Sequence, residues 1–273
     1  MPNLSAADLK RELPTEKVMR LVDYTNLKAF AQERQIETLI QHASELGAYA
    51  ICILPVYAEF ARGKISGGGL KLKLAIVVDY PLGAGTDTQR MGEVRSLAGI
   101  ADEVDAVVQI SKIKSGKFDE AQKDMVDLTG VAHSLGMKIK FIIETAYLTK
   151  AEKQRVSEIA FRAGADFVKT SSGFAEKEYT ASVGNSNTGA TVDDIKLIAA
   201  VSKRLGRQKA GIKASGGINT ADQIFELLAS SNRKPDPDCF RIGASHIDNI
   251  YHELRTRKLG ATPETKKRKG VEN

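Results

Sequence analysis

Apolar residues in this chain gather into short runs rich in Val, Ile and Ala, and each run is followed by a longer stretch in which they recur at three- and four-residue spacing. A short continuous apolar run bounded by loops is the mark of a strand buried on both faces, whereas the three/four recurrence is the helical period. Eight runs can be counted: RLVDYT from Arg20, AYAICIL from Ala48, KLAIVVDY from Lys73, EVDAVVQI from Glu103, KIKFIIET from Lys138, DFVKTSS from Asp166, AGIKASGG from Ala210 and CFRIGAS from Cys239. Their starts lie 28, 25, 30, 35, 28, 44 and 29 residues apart, room for a strand, a loop and a crossover helix. Repeated βα units predict an α/β fold with a parallel sheet, and eight of them predict a closed (β/α)8 TIM barrel; an open doubly wound sheet is the alternative topology. Helices are expected over 32–46, 119–135, 149–163, 191–205 and 220–228, with a short leading helix over 6–13 and a last one in HIDNIYHEL. Gly47, Gly136 and Gly164 close three of these, where a left-handed C-cap is expected.

No Pro- or Ser-rich linker divides the 273 residues, so one domain is assigned to 1–255, followed by a basic, solvated tail over 256–273. The longest apolar stretch, 48–58, is 11 residues and contains Pro55. That is short of the roughly 18 needed to span a bilayer, so no membrane partner is expected. The N-terminal MPNLSAADLKRELPTEKVMRL carries charge throughout and lacks a signal-like apolar core, and Cys52 and Cys239 sit in apolar runs as two buried thiols; a cytoplasmic location follows. The net charge of +6 is concentrated at the end, where residues 255–273 hold seven basic and two acidic side chains, a net of +5 that leaves the body near +1. KKRK at 266–269 has the charge to touch nucleic acid, but a lone basic run is outweighed by the solvated reading, and no nucleic acid is expected as a partner.

A charge inside a strand buried on both faces needs a reason. Asp105 in EVDAVV, Lys169 in DFVKTSS and Lys213 in GIKASGG are such charges. Singly, each is explained by snorkelling or a buried ion pair; together, on strands four, six and seven, they converge where barrel enzymes build their sites. Two ammonium groups on neighbouring strands disfavour each other's charge, so one lysine should become a free amine able to attack a carbonyl and form a Schiff base. Asp105 then moves protons during dehydration of the carbinolamine. Gly216-Gly217 after strand seven and Gly243-Ala244-Ser245 after strand eight each open a helix, the usual phosphate cradle of a barrel, and Ser171-Ser172-Gly173 follows Lys169. Taken one at a time these glycines only make turns; their positions favour a phosphorylated ligand. His42, His133, His246 and His252 are scattered, no metal-ligand spacing occurs, and neither a metal nor an organic cofactor is expected.

The segments VDYT, AICILP, DEVDAVV, KFIIET, GADFVKTSSG, GIKASGGI and FRIGAS, in this order over residues 18–254, resemble the deoxyribose-phosphate aldolases, class I aldolases on a (β/α)8 barrel. The resemblance implies Lys169 as the Schiff-base lysine, Lys213 as the lysine that perturbs it and relays protons, and Asp105 as the proton-relay carboxylate. It also implies Asp23 and Thr25 near the second lysine and the substrate, Thr170 beside the nucleophile, and Gly173, Gly216, Gly217, Asn219, Gly243, Ser245 and His246 around the substrate phosphate. The implied reaction is reversible cleavage of 2-deoxy-D-ribose 5-phosphate to acetaldehyde and D-glyceraldehyde 3-phosphate, and a homodimer or homotetramer is the expected assembly. Three positions depart from the usual pattern: Asn219 where an arginine often follows Gly-Gly, His246 where a second serine often follows GAS, and Tyr24 in place of a His or Leu. The C-terminal tyrosine of some members is also missing. Two other readings stand beside this one, a Schiff-base aldolase of the same fold with another phosphorylated sugar, and a non-catalytic barrel whose tail binds nucleic acid.

Overall fold

All eight expected strands form in the computed structural model, which describes residues 4–257, and each pairs in parallel with its sequence neighbour. They are β1 (Val22–Asn26), β2 (Ala50–Ile53), β3 (Lys73–Val78), β4 (Glu103–Val107), β5 (Lys138–Ile142), β6 (Phe167–Lys169), β7 (Gly211–Ser215) and β8 (Phe240–Ala244). The register Val22↔Ile242, Asp23↔Gly243, Tyr24↔Ala244 joins β1 to β8 and closes the barrel, which decides against the open sheet.

The helices are α1 (Ala6–Glu12), α2 (Thr15–Met19), α3 (Glu33–Glu45), α4 (Ala58–Gly67), α5 (Asp87–Ser96), α6 (Ile110–Lys114), α7 (Phe118–Ser134), α8 (Lys150–Arg162), α9 (Lys177–Ser182), α10 (Val192–Arg204), α11 (Ala221–Ser231) and α12 (Ile247–Thr256). Thr149, Thr191 and Thr220, expected as first helical residues, are instead N-caps whose hydroxyls accept the N–H three residues on. Gly47, Gly136 and Gly164 adopt φ of 73°, 74° and 91°, the left-handed termination expected of them. The apolar faces of these helices pack on outward strand residues such as Ile51, Ile76, Val104, Ile139, Val168, Ile212 and Ile242, making one continuous core. The leading helix seats on α11, and α12 packs on α2 and α11.

Two expectations need correction. Cys239 is only part-buried, because it lies one residue ahead of β8 in the loop that Asp236 caps, whereas Cys52 is buried inside the barrel. The helix expected to end the domain runs on to Thr256, and Arg257 donates to the Leu13 carbonyl and stacks on the Phe225 ring at 4.8 Å, so the packed body extends past residue 255. The rest of the expected tail, 258–273 with KKRK, lies outside the described residues. No described helix is long and apolar enough to cross a membrane.

The inward face of the barrel is where the fold departs from an oily interior. Alternate strand residues point there, and small ones leave space for long charged ones. Gly243 shows why: a Cβ at this position would lie 2.8 Å from the Ser215 Cβ and 3.4 Å from the Lys213 Cε. A glycine there gives the Lys213 stem its room.

Candidate active site

Lys169 ends β6 and stands in register with Lys213 of β7, so the two expected lysines are direct neighbours. Both donate to one oxygen of Asp105, Lys169 Nζ to Oδ2 at 2.8 Å and Lys213 Nζ to the same atom at 2.8 Å. Lys213 also donates to Asp23 Oδ2. Four further charges join them, and three of these went unread in the sequence. Lys140 of β5 reaches Asp105 Oδ1 at 2.7 Å and Glu103 Oε2 at 2.6 Å, and Arg241 of β8 reaches Glu103 Oε1 at 2.8 Å and Asp23 Oδ1 at 2.6 Å. Contacts therefore run from Asp23 to Arg241, Glu103, Lys140, Asp105, Lys213 and back to Asp23, a closed ring of alternating sign. Arg241 is further held between the rings of Tyr49 at 3.7 Å and Phe167 at 5.4 Å.

The ring sets the protonation of its members. Burial would push the Asp105 carboxyl up, but the ammonium groups of Lys140, Lys169 and Lys213 outweigh it and hold it well below the usual carboxylate range. Burial opposes charge on Lys213, yet Asp105 and Asp23 outweigh it and push that lysine above its ordinary value; Lys140 is raised the same way by Asp105 and Glu103. Lys213 is thus a fixed cation pinned between two carboxylates, a firmer arrangement than the mutual repulsion of two lysines suggested. Cys52 lies beside Asp105, its Sγ 3.8 Å from Oδ2, with burial pushing the thiol up.

Above the ring, at the C-terminal ends of the strands, opens a cavity of about 480 Å³. Of the residues expected at the substrate, Thr25, Gly173, Gly216, Gly217, Asn219, Gly243, Ser245 and His246 line it, with Lys169 in its floor. Asp23 and Thr170 do not. Asp23 is consumed by Lys213 and Arg241 below the floor, and the Thr170 hydroxyl turns to β7, donating to the Ser215 carbonyl and accepting the Ser215 N–H, both at 3.1 Å. Thr170 ties two strand ends together. Loops seven and eight lead into α11 and α12; the start of α11 is already engaged, Ala221 N–H donating to Glu253 Oε2 and Gln223 N–H to the Thr220 hydroxyl, whereas α12 begins with no side-chain cap.

The remaining wall comes from the long segment between β6 and α10, announced by the 44-residue gap between the sixth and seventh runs. Ser172 anchors its start: Glu144 accepts from its N–H and hydroxyl, and its carbonyl accepts from Tyr80 Oη at 2.6 Å. Tyr80 in turn meets Phe174 edge-on, with centroids 5.6 Å apart. Glu144 holds this post from a left-handed backbone, φ 51°. Asn185 fixes the middle, its Nδ2 donating to the carbonyls of Thr145, Ala146 and Leu148 while its Oδ1 accepts from Lys153. At the far end Gly189 passes so close to loop seven that a Cβ would sit 2.2 Å from the Gly216 carbonyl oxygen. Phe174 and Asn185 had no readable signal beyond the length of the gap, and Tyr80 and Glu144 lie at the ends of the third and fifth runs, where a polar residue reads only as the strand's exit.

A family model for DeoC/LacD family aldolases matches residues 17–245, nearly the whole barrel. The chain belongs to the DeoC/LacD aldolase family. Among curated relatives, a deoxyribose-phosphate aldolase of Thermoplasma volcanium is 39% identical over 87% of this chain and 94% of its own length. One from Thermococcus gammatolerans is 37% identical over 79% and 90% respectively. Among solved structures, a tetrameric deoxyribose phosphate aldolase of Aeropyrum pernix superposes with a TM-score of 0.75 at 25% identity, covering 91% of this chain and 95% of that one. For a DeoC/LacD aldolase the decisive local fact is that, of the three buried barrel lysines, Lys169 alone lines the cavity.

Proposed function

We propose that this DeoC/LacD aldolase cleaves 2-deoxy-D-ribose 5-phosphate reversibly to acetaldehyde and D-glyceraldehyde 3-phosphate through an imine on Lys169. The observation that carries the proposal is the Lys169 amine in the cavity floor, sharing Asp105 Oδ2 with a lysine that stays charged. The neutral amine adds to the substrate C1 carbonyl, and loss of water from the carbinolamine gives an iminium ion. A proton leaves the C3 hydroxyl, the C2–C3 bond breaks, and its electron pair passes into the iminium to leave an enamine; C3 departs as the aldehyde of glyceraldehyde 3-phosphate. Protonation at C2 and hydrolysis release acetaldehyde. Asp105, bonded through one oxygen to both nitrogens, is the relay by which Lys213 lends and recovers a proton. The Gly216-Gly217 and Ser245 loops and the uncapped start of α12 take the phosphate, with the Lys28 ammonium at the cavity wall supplying a charge where Asn219 supplies none.

Trapping tests this directly. Borohydride with acetaldehyde should leave a reduced adduct at Lys169 by mass spectrometry, and an adduct elsewhere, or none, would sink the assignment; Lys169→Arg should not turn over, since a guanidinium stays protonated. Assay with deoxyribose 5-phosphate, following acetaldehyde release, separates this reading from another Schiff-base aldolase. Prolonged EDTA dialysis should leave the rate unchanged, because the iminium polarises the substrate as a metal would elsewhere. Activity restored only by a divalent metal would contradict the mechanism. A homo-oligomer, supported by the tetrameric Aeropyrum relative, is testable by light scattering, and a cytoplasmic site of action agrees with the free thiols Cys52 and Cys239.

A further inference from the structure

The ring beneath the cavity is complete without Lys169. Asp23, Glu103 and Asp105 alternate with Lys140, Lys213 and Arg241, each carboxylate bridging two of these cations and each cation bridging two of these carboxylates. Three negative charges meet three positive ones in an interior that water does not reach, all six side chains being at most 2% exposed. Lys169 is the seventh member, attached at one point, to an oxygen that Lys213 already holds. A fourth cation in this interior would have to share a carboxylate oxygen that Lys213 already holds, and a buried group so weakly compensated favours its neutral form. We propose that the Arg241, Glu103 and Lys140 arc, which touches no substrate, is a positioning device that closes the charge balance without Lys169 and so leaves Lys169 as the free amine.

The inference rests on the reading of Lys169 as the nucleophile and adds how it is kept unprotonated. Of the other titratable groups facing Lys169, Cys52 from β2 is a thiol whose ionisation burial opposes, and Tyr80 after β3 is kept protonated by burial and donates to Ser172. Glu144 is pushed up by burial and drawn down by Lys169, but its contacts go to Ser172 and it makes no hydrogen bond to Lys169. The contribution of the arc has a sign. Removing Lys140 frees the Asp105 carboxylate for Lys169, which would then keep its proton to higher pH. Removing the charge of Glu103 makes Lys140 and Arg241 draw on Asp105 and Asp23, and Lys169 would lose its proton at lower pH.

The experiment is the pH dependence of imine trapping with acetaldehyde and borohydride, mapped to Lys169, in the wild type and in Lys140→Met, Glu103→Gln and the double variant. The acid limb is expected to move alkaline by about one pH unit in Lys140→Met and acidic by about one pH unit in Glu103→Gln, and to return near the wild-type position in the charge-balanced double variant. A merely structural role would lower the amplitude in both single variants and leave the limb where it is; that result overturns the proposal. Nitrogen-15 NMR of the lysine Nζ atoms in the wild type decides the matter even where a single variant does not fold. Lys140 and Lys213 should stay ammonium from about pH 6 to 9 while Lys169 titrates or is neutral, and titration of either ring lysine in that range refutes the charge balance. Absence of any Lys169 adduct in the wild type would instead strike the Schiff-base reading itself.

Discussion

Lys213 is fixed between Asp23 and Asp105, and its replacement makes a specific prediction. In Lys213→Leu, Asp105 Oδ2 belongs to Lys169 alone, so Lys169 holds its proton more tightly and the free amine becomes scarce at neutral pH. Each tenfold loss of free amine corresponds to about 1.4 kcal/mol, and a Lys169 that titrates roughly one to two pH units higher would lower the rate roughly ten- to a hundredfold. The residual rate should climb as pH is raised, and a pH–rate profile checks it; unchanged kcat with a raised KM would make Lys213 a phosphate ligand instead. Lys28→Ala should do the converse, raising KM for deoxyribose 5-phosphate several-fold with kcat little changed, as steady-state kinetics can measure, because its exposed ammonium lines the cavity away from the ring. Asp105, Lys169 and Lys213 were legible in the sequence because each interrupts an otherwise apolar strand. Lys140 and Arg241 interrupt theirs equally, but Lys140 sits two residues from Lys138, which pairs with Asp238 at the barrel's far end, and KIK reads as a solvated edge. Arg241 and Glu103 lie at or near the first residues of their strands, where a charge reads as a boundary.

At the scale of elements, the long crossover helices were visible because their apolar positions keep helical spacing over three turns or more, as in α3, α7, α8 and α10. The shorter α4, α5, α6 and α9 were not. α4 holds Gly63 and Gly67, which weaken the helical signal, and α9 has only six residues. A signal for α5 was available, the Thr86 and Gln89 capping box. The segment carrying α9 owes its place to contacts rather than propensity, and Asn185 is its central fastening. Asn185→Ala deletes the donor to three carbonyls and the acceptor of Lys153, which should cost about 1–3 kcal/mol of stability in denaturant melts. It should also raise KM, because Ser172, Gly173 and Phe174 of the cavity wall belong to the same segment. A variant as stable and as tight-binding as the parent would show that the segment holds its shape without this residue.

Across the whole molecule, the six charges of the barrel ring make stability a function of pH. Asp23, Glu103 and Asp105 are held below their ordinary values, so their contribution is present above the unfolded carboxylate range near 4 and is lost as pH falls from there. Lys140 and Lys213 are raised, so theirs is present below the unfolded lysine value near 10.4 and is lost as pH rises beyond it. The contribution of these five groups to the melting temperature should therefore fall away below about pH 4 and above about pH 10, and a melting temperature that falls at neither end would show that the charges are not coupled as described. The closure of the barrel was legible from the count of runs, whereas the ring was not, since it joins strands far apart in sequence. That separation has a consequence for the nascent chain. Arg241 arrives only with β8, the strand that also zips to β1, so until the last βα unit docks the ring stays open, with Asp23 paired to Lys213 alone and Glu103 to Lys140 alone. An aldehyde-seeking amine is a hazard in a half-built protein surrounded by metabolites. By the charge balance proposed above, that reactivity comes only with the final strand, and copies lacking β8 should give no Lys169 adduct in borohydride trapping.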